Sequence, residues 1–230
     1  MHFAIIFFPL FISSQFLQLE GEKSAVAVDS KDTTTADTAS ETPELPAWAN
    51  ESRLGRYQHA EWVVKDTSTF YLVRATFPAR DQLWGNGSTC ISRKYSEVNG
   101  TYVANFSYLD EGIDKETANL STSLTSTYNY SIQNAIQYML PDCALVNDTV
   151  IFTSNGTCTL MSVLSEGNTM GCELWISEDR LTNGTVPKCC YFVFDLLCES
   201  RVSYEMYNKS QCSETEATVV KSSDISFAAE

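Results

Sequence analysis

The sequence predicts an all-β protein, an eight-stranded antiparallel barrel with a short N-terminal helix and a C-terminal helix. Eight short stretches of strand-like composition follow one another, with turn residues between them. Most of the aromatic residues and every cysteine lie in one segment of the 230-residue chain, and its length suits a single domain. Apolar residues recur at helical spacing where this segment starts, and the pattern then changes to alternation.

The elements are predicted in chain order. An amphipathic helix is expected within residues 48–62. The candidate strands are residues 69–77, 89–95, 101–108, 117–127, 132–139, 148–153, 158–164 and 172–176. Residues 189–198 are apolar and long enough for a helix, and residues 201–207 are a candidate last strand.

The rest of the chain is assigned from its composition. Residues 1–21 contain an apolar run that is typical of a signal peptide and too short to cross a membrane. Residues 22–47 are predicted to be a disordered acidic Ser/Thr-rich linker and residues 214–230 a flexible tail, because both are poor in large apolar residues. Residues 48–213 remain as the barrel domain. We expect a secreted, extracellular protein that has no membrane anchor.

The charge of the chain limits its partners. It carries 29 acidic and 15 basic residues, a formal net charge of −14, and its basic residues do not cluster. Nucleic-acid binding needs clustered Lys and Arg to neutralise phosphates, so we exclude this class of partner. An acidic surface instead suits basic partners or solubility.

The cysteines are even in number, which predicts four disulfides in an exported chain. Zinc binding by the same residues is disfavoured, because they lack paired CxxC-like spacing and histidine support. Adjacent cysteines rarely reach disulfide geometry, so the neighbouring pair is not expected to bond to itself. The cysteines are Cys90, Cys143, Cys158, Cys172, Cys189, Cys190, Cys198 and Cys212.

Ten Asn-x-Ser/Thr sequons predict a glycoprotein. They begin at Asn50, Asn86, Asn99, Asn105, Asn119, Asn129, Asn147, Asn155, Asn183 and Asn208. Because a glycan must point outward and side chains alternate along a strand, the sequons also predict which residues face the barrel lumen. Asn105 outward places Ala104 and Phe106 inside, and Asn147 outward sends Val150 and Phe152 inward.

Residues suited to catalysis are scarce. Beyond the predicted leader the one histidine is His59, and the cysteines are expected to be oxidised, so nucleophilic and thiolate mechanisms lack their groups. A carboxylate pair of the glycosidase type stays open because acids are plentiful, although no spacing singles one out. We predict that the protein is not an enzyme and that it uses no metal and no cofactor.

The stretch GCELWI, residues 171–176, is the most informative one for binding. Alternation places Glu173 and Trp175 on one face of a strand. If that face points into the lumen, a buried carboxylate lies beside an indole ring, an arrangement that suits an organic ammonium ion. If it points outward, Glu173 is an ordinary solvated charge. Alternation alone leaves both readings open.

Six stretches together carry a resemblance to a known family. They are QHAEW (58–62), FYLVRATF (70–77), DQLWGNGSTC (81–90), NAIQY (134–138), VIFT (150–153) and CELW (172–175). In this order they resemble the tick salivary lipocalins, the histamine-binding protein family, over residues 58–212. Each stretch alone is a weak signal, whereas the set is specific.

The resemblance implies an eight-stranded lipocalin barrel that is secreted in saliva and sequesters a small host inflammatory mediator, and we expect it to act as a monomer. It also implies two disulfides, Cys90 with Cys212 and Cys158 with Cys190. The partners of the other four cysteines, Cys143, Cys172, Cys189 and Cys198, stay open.

The resemblance further implies a ligand site. In amine-binding members, acidic residues in the barrel hold the ligand, and two such positions carry over as Asp81 and Glu173. The aromatic residues that carry over as ligand contacts are Phe77, Trp84, Tyr138, Phe152 and Trp175. Other acidic positions of the histamine binders fall at Leu120 and Thr159, and Glu116 lies on the same face as Leu120 and would compensate.

Three functions follow from these expectations. The first is a trap for a biogenic amine, histamine or serotonin. The loss of family carboxylates makes a lipid mediator, a leukotriene or fatty acid, a credible alternative, because a buried ammonium needs a paired charge. The third is a filled barrel whose outer surface binds a host protein, which is ranked lower because ten sequons leave little glycan-free surface.

Overall fold

Eight strands close into one antiparallel barrel in which each strand pairs with its neighbours along the chain. Strand β1 closes it by pairing with β2 on one side and β8 on the other. The barrel strands are β1 Phe70–Ala75, β2 Thr89–Val98, β3 Thr101–Asp110, β4 Asp114–Thr125, β5 Ala135–Met139, β6 Leu145–Ser154, β7 Cys158–Leu164 and β8 Met170–Ser177. The predicted all-β fold with an eight-stranded antiparallel barrel is confirmed.

The computed structural model describes residues 45–78, 80, 83–110, 114–154, 156–164, 169–198 and 202–212. The predicted signal peptide, residues 22–44 of the predicted linker and the predicted tail lie outside these residues, as does Asp81. Within the described residues, no helix has both the length and the hydropathy needed to cross a membrane.

The helices are short. They are α1 Glu51–Leu54, a 3₁₀ turn at Gly55–Tyr57, α2 Ala60–Val64, α3 Glu178–Thr182 and α4 Lys188–Leu197. The single opening helix expected within residues 48–62 is therefore two short helices. The interruption lets the buried Gln58 side chain donate to the carbonyl oxygens of Trp48 and Ile151, which ties the opening segment to β6. Helix α4 lies within one residue at each end of its expected span.

A ninth strand, β9 Tyr204–Glu205, is shorter than the last strand expected over residues 201–207. It pairs with the end of β1, where the Arg74 guanidinium bonds to both Glu205 and Asp195. Arg74 thus links the barrel to β9 and to α4.

Side-chain alternation separates two apolar layers. Ala104, Phe106 and Val150 belong to the cluster inside the barrel, as the sequon register predicts. Phe152 does not. A bulge in the pairing of β6 with β7 lies between Val150 and Phe152, so the Phe152 ring packs outside the lumen, 5.5 Å from the ring of Tyr57. The inward direction expected for Phe152 was wrong. The bulge adds one residue to β6, and simple alternation along the sequence does not account for it.

The structure contains three disulfides in its described part. Cys90 bonds to Cys212 and Cys158 to Cys190, the two pairs that the resemblance implies, and a third bond joins Cys172 to Cys198. The expectation of four bridges was wrong, because Cys143 and Cys189 are exposed free thiols. Cys189 and Cys190 are consecutive residues of α4, so their side chains point about 100° apart and only Cys190 faces the barrel.

Candidate functional site

The barrel lumen is lined by aromatic rings that pack against one another. The Trp84 and Trp175 ring centroids lie 6.3 Å apart, edge to face. Phe106 lies 6.2 Å from each of these indoles and 5.8 Å from Tyr138. The Tyr138 hydroxyl shares a hydrogen bond of 2.6 Å with the hydroxyl of Tyr95. Such walls suit an apolar or aromatic ligand body.

Four charged side chains are buried among these rings. Arg93 comes from β2, Asp148 from β6 and Glu173 from β8, whereas Arg80 comes from the connection between β1 and β2. All four are at most 2% exposed. Buried charges need hydrogen-bond partners or opposite charges. Which of the four already have such partners therefore decides which ligand charge the lumen can bind.

The two carboxylates are satisfied by the chain itself. Both oxygens of Asp148 accept from the Arg80 guanidinium, one of them from Nη1 at 3.0 Å. Oε1 of Glu173 accepts from Arg80 Nη1 at 3.3 Å, and its Oε2 accepts from Nε1 of Trp175 at 2.9 Å. All four oxygens of these two carboxylates therefore already have a donor.

Arg93 is bound differently. Its guanidinium contacts the Met161 sulfur, with Nη1 to Sδ at 3.1 Å, and stacks over two rings. Its Cζ lies 4.3 Å from the Trp175 ring centroid and 5.1 Å from that of Tyr95. No carboxylate among the described residues is hydrogen-bonded to it, so cation–π contacts and a weak sulfur acceptor hold this buried cation.

Three buried nitrogen donors in the lumen have no acceptor: Nε of Arg80, Nε of Arg93 and Nε1 of Trp84. Buried polar groups without a partner cost free energy, and the positions that a structure leaves open point to a ligand's own polar atoms. All three nitrogens are donors. Among the described residues, these donors therefore exceed the acceptors that the lumen offers them.

The protonation equilibria agree with this charge distribution. Burial raises the pKa of Glu173 to about 7, against the opposing charge of Arg80. Burial lowers the pKa of Arg80, but the charges of Asp148 and Glu173 outweigh it and raise the pKa overall, so the guanidinium stays charged. Burial also lowers the pKa of Arg93, yet the surrounding groups, Tyr95 first, raise it overall. Both arginines are cationic at neutral pH, while Glu173 is only partly ionised.

Four of the seven expected ligand contacts lie in the lumen: Trp84, Tyr138, Glu173 and Trp175. Phe77 joins the same cluster and packs against Gly171, where a Cβ atom would lie 2.5 Å from its ring. Phe152 lies outside, and Asp81 is not among the described residues.

Glu116, which was expected to compensate for Leu120, is exposed and contributes nothing to the lumen.

Three site residues were missed by the sequence analysis. Asp148 follows a sequon asparagine directly, so the same alternation that places Val150 inside also points Asp148 inward. Arg93 lies between the inward-facing Ile91 and Tyr95, a signal that was available. Arg80 lies in a connection, where no periodicity exists and no pattern would have found it.

The aromatic walls and buried charges of the lumen provide the contacts with which a ligand can be bound. No cluster of metal-ligating side chains occurs in the part of the chain that the structure describes. A groove of about 510 Å³ between Trp48 and the end of α4, lined in part by Phe77, has no charged side chain in its described lining. The lumen is therefore the place where a ligand's charge would be recognised.

Comparisons with known proteins agree with the barrel. Residues 48–214 match the family described as tick histamine binding protein. The male-specific histamine-binding salivary protein of Rhipicephalus appendiculatus is 27% identical over 180 residues, which cover 73% of this chain and 87% of that protein. The female-specific histamine-binding protein 1 of the same species is 25% identical over 161 residues, 66% of this chain and 80% of that protein.

Among solved structures, insecticyanin from the tobacco hornworm Manduca sexta is similar with a TM-score of 0.49 and 11% identity, over 64% of this chain and 80% of that chain.

Proposed function

Since this chain belongs to the tick histamine-binding protein family, we propose that it is a secreted, non-enzymatic trap for a small host mediator with an anionic head group and an apolar body. The family and the barrel support small-ligand binding, and one relative is named a salivary protein, which supports secretion. The head group is the finer part of the proposal. A carboxylate is the simplest such group, as in a fatty acid or a leukotriene.

One observation carries the choice of an anion: the buried Arg93 guanidinium has no carboxylate partner among the described residues, while Asp148 and Glu173 are both occupied. An anion beside Arg93 gains charge-assisted hydrogen bonds and pairs a cation that is already desolvated. A cation in the same place meets like charge. The surplus donors on Arg93 and Trp84 favour ligand acceptors for the same reason.

A biogenic amine is the second candidate, and specific observations favour it. Two relatives are named for histamine binding, and Asp148 and Glu173 would suit an ammonium ion once Arg80 left them. In the structure Arg80 holds both carboxylates. An amine must therefore compete with a cation that belongs to the chain.

A matched series of ligands tests the head group. Dodecanoate, dodecanol and dodecylamine share one apolar chain and differ only in charge, and their dissociation constants follow from calorimetry or from quenching of tryptophan fluorescence. We expect dodecanoate to bind about tenfold to a hundredfold more tightly than dodecanol, the value of one charge-assisted hydrogen bond, with dodecylamine the weakest.

Arg93→Gln should remove the preference for dodecanoate over dodecanol. Lys94→Gln is the matched control, since Lys94 is the next residue of β2 and is exposed. Tightest binding by dodecylamine would favour the amine trap. Failure of all three ligands would remove the small-ligand proposal and leave a filled barrel that acts through its outer surface.

A further inference from the structure

The connection between β1 and β2 inserts into the barrel. In it, the Arg80 and Trp84 backbones bond to each other in both directions, with N to O distances of 3.1 and 2.9 Å. The side chains of Arg80, Leu83 and Trp84 are all buried, and we call these three residues the plug. The plug belongs to the connection between two strands rather than to the barrel wall, although its side chains lie inside the barrel.

We call Asp148 and Glu173 the acidic pair. The Arg80 guanidinium binds to this pair as an organic cation would. It donates to Asp148 through two nitrogens, and one of these also reaches Glu173. Its Cζ lies 5.8 Å from the Trp84 ring centroid, within the range of a cation–π contact. A planar cation with two carboxylates and an aromatic neighbour has the contacts that a bound amidine or amine would seek.

We infer that Arg80 is a tethered stand-in for a ligand cation, which closes the Asp148–Glu173 pair against free amines and so determines the class of ligand that the barrel accepts. A tether gives the guanidinium an effective concentration in the millimolar range or above, so a free amine of moderate affinity does not displace it. The inference rests on the lumen being the ligand site of the proposed function. It assigns the selectivity to a loop residue rather than to the barrel wall.

Removing the Arg80 side chain should make Asp148 and Glu173 available to a free cation. Arg80→Ala leaves both carboxylates and a space the size of the lost side chain. We expect calorimetry to show ethylguanidinium and histamine binding to Arg80→Ala about tenfold to a hundredfold more tightly than to the unaltered chain. Thermal unfolding supplies a second readout, because a ligand that binds only the folded state raises the melting temperature.

Arg93→Ala is the matched control. It removes the same charge from the same lumen but leaves Arg80 on the acidic pair, so we expect no gain in binding of either probe. Equal gains in the two variants would mean that net charge alone governs selectivity, and the inference would be overturned. Arg80→Lys keeps a tethered cation and should remain closed to both probes.

The buried carboxylates of Arg80→Ala lack their partner, and the variant is therefore also refolded with and without ethylguanidinium. Recovery of the folded state only with this cation supports the stand-in, and no recovery and no binding overturns it. Dodecanoate binding to the unaltered chain is a separate result. If dodecanoate fails to bind, the anion proposal is removed. The inference about Arg80 is tested separately, by whether ethylguanidinium and histamine bind more tightly to Arg80→Ala.

Discussion

Arg80 and Arg93 lie in one lumen, equally buried, but their surroundings differ in what they leave unsatisfied. Arg80 is bonded to two carboxylates, so its end of the lumen is closed by the protein's own charges. Arg93 contacts aromatic faces and a sulfur, so its positive charge is not neutralised by a hydrogen-bonded carboxylate among the described residues. The difference teaches that the count of charges in a cavity says less about its ligand than the pairing of those charges does.

The largest expected effect separates the two arginines by stability. Arg80→Met removes the cation that pairs with two buried carboxylates and should lower the free energy of unfolding by about 3–5 kcal/mol. Arg93→Met removes a cation that has no carboxylate partner, and the free energy should stay the same or rise. Urea denaturation of both variants measures the difference, and equal losses would show that Arg93 has a partner that the account overlooks.

The free energy of unfolding should depend on pH through Glu173, which lies where Arg80 binds the two carboxylates. The pKa of Glu173 is raised from an ordinary 4.5 to about 7 by burial, so its contribution to stability is complete below pH 4.5 and is lost as the pH rises through about 7. We expect the free energy of unfolding to fall across this range by on the order of 3 kcal/mol relative to Glu173→Gln.

Denaturation of both proteins at several pH values between these limits gives the two slopes to compare. A steeper fall in Glu173→Gln than in the unaltered chain would reverse the sign and place the titration elsewhere. Arg93→Met should keep the fall and move it to higher pH, because the Arg93 charge lowers the pKa of Glu173 and its loss raises that pKa further.

The smallest expected change in the free energy of unfolding comes from substitutions on the outer surface. It is the reference against which the changes at the two buried arginines are compared. Cys143→Ser and Cys189→Ser should each change the free energy of unfolding by less than about 0.5 kcal/mol, since both thiols are exposed and unbonded. Thiol titration of the native protein should find these two groups. A count of zero would restore the expectation of a fourth disulfide.

Much of the barrel was predictable because alternation is a local signal. Strand β7 begins and ends where it was expected, and the sequon on β3 oriented the lumen correctly. Phe152 failed at the bulge, since one extra residue inverts every later position of a strand without changing its composition. The opening helix failed because Gln58 needed backbone carbonyls that only the folded barrel supplies.

The site was less predictable than the fold. Glu173 and Trp175 came from a family resemblance, whereas Asp148 was within reach of the same alternation argument. A charged residue in an inward position is usually read as solvated, and for this reason Arg93 was passed over. Arg80 reaches the lumen from a turn, so its position depends on the tertiary path of the chain and on no local pattern.

The account's central claim is that an anionic head group binds at Arg93 while Arg80 stays on the acidic pair. A crystal structure of the protein with dodecanoate bound tests it most directly. We predict carboxylate oxygens within about 3.2 Å of the Arg93 guanidinium, and Arg80 still bonded to Asp148 and Glu173. A carboxylate bound to a displaced Arg80, or one placed outside the lumen with Arg93 still unpaired, would contradict the claim.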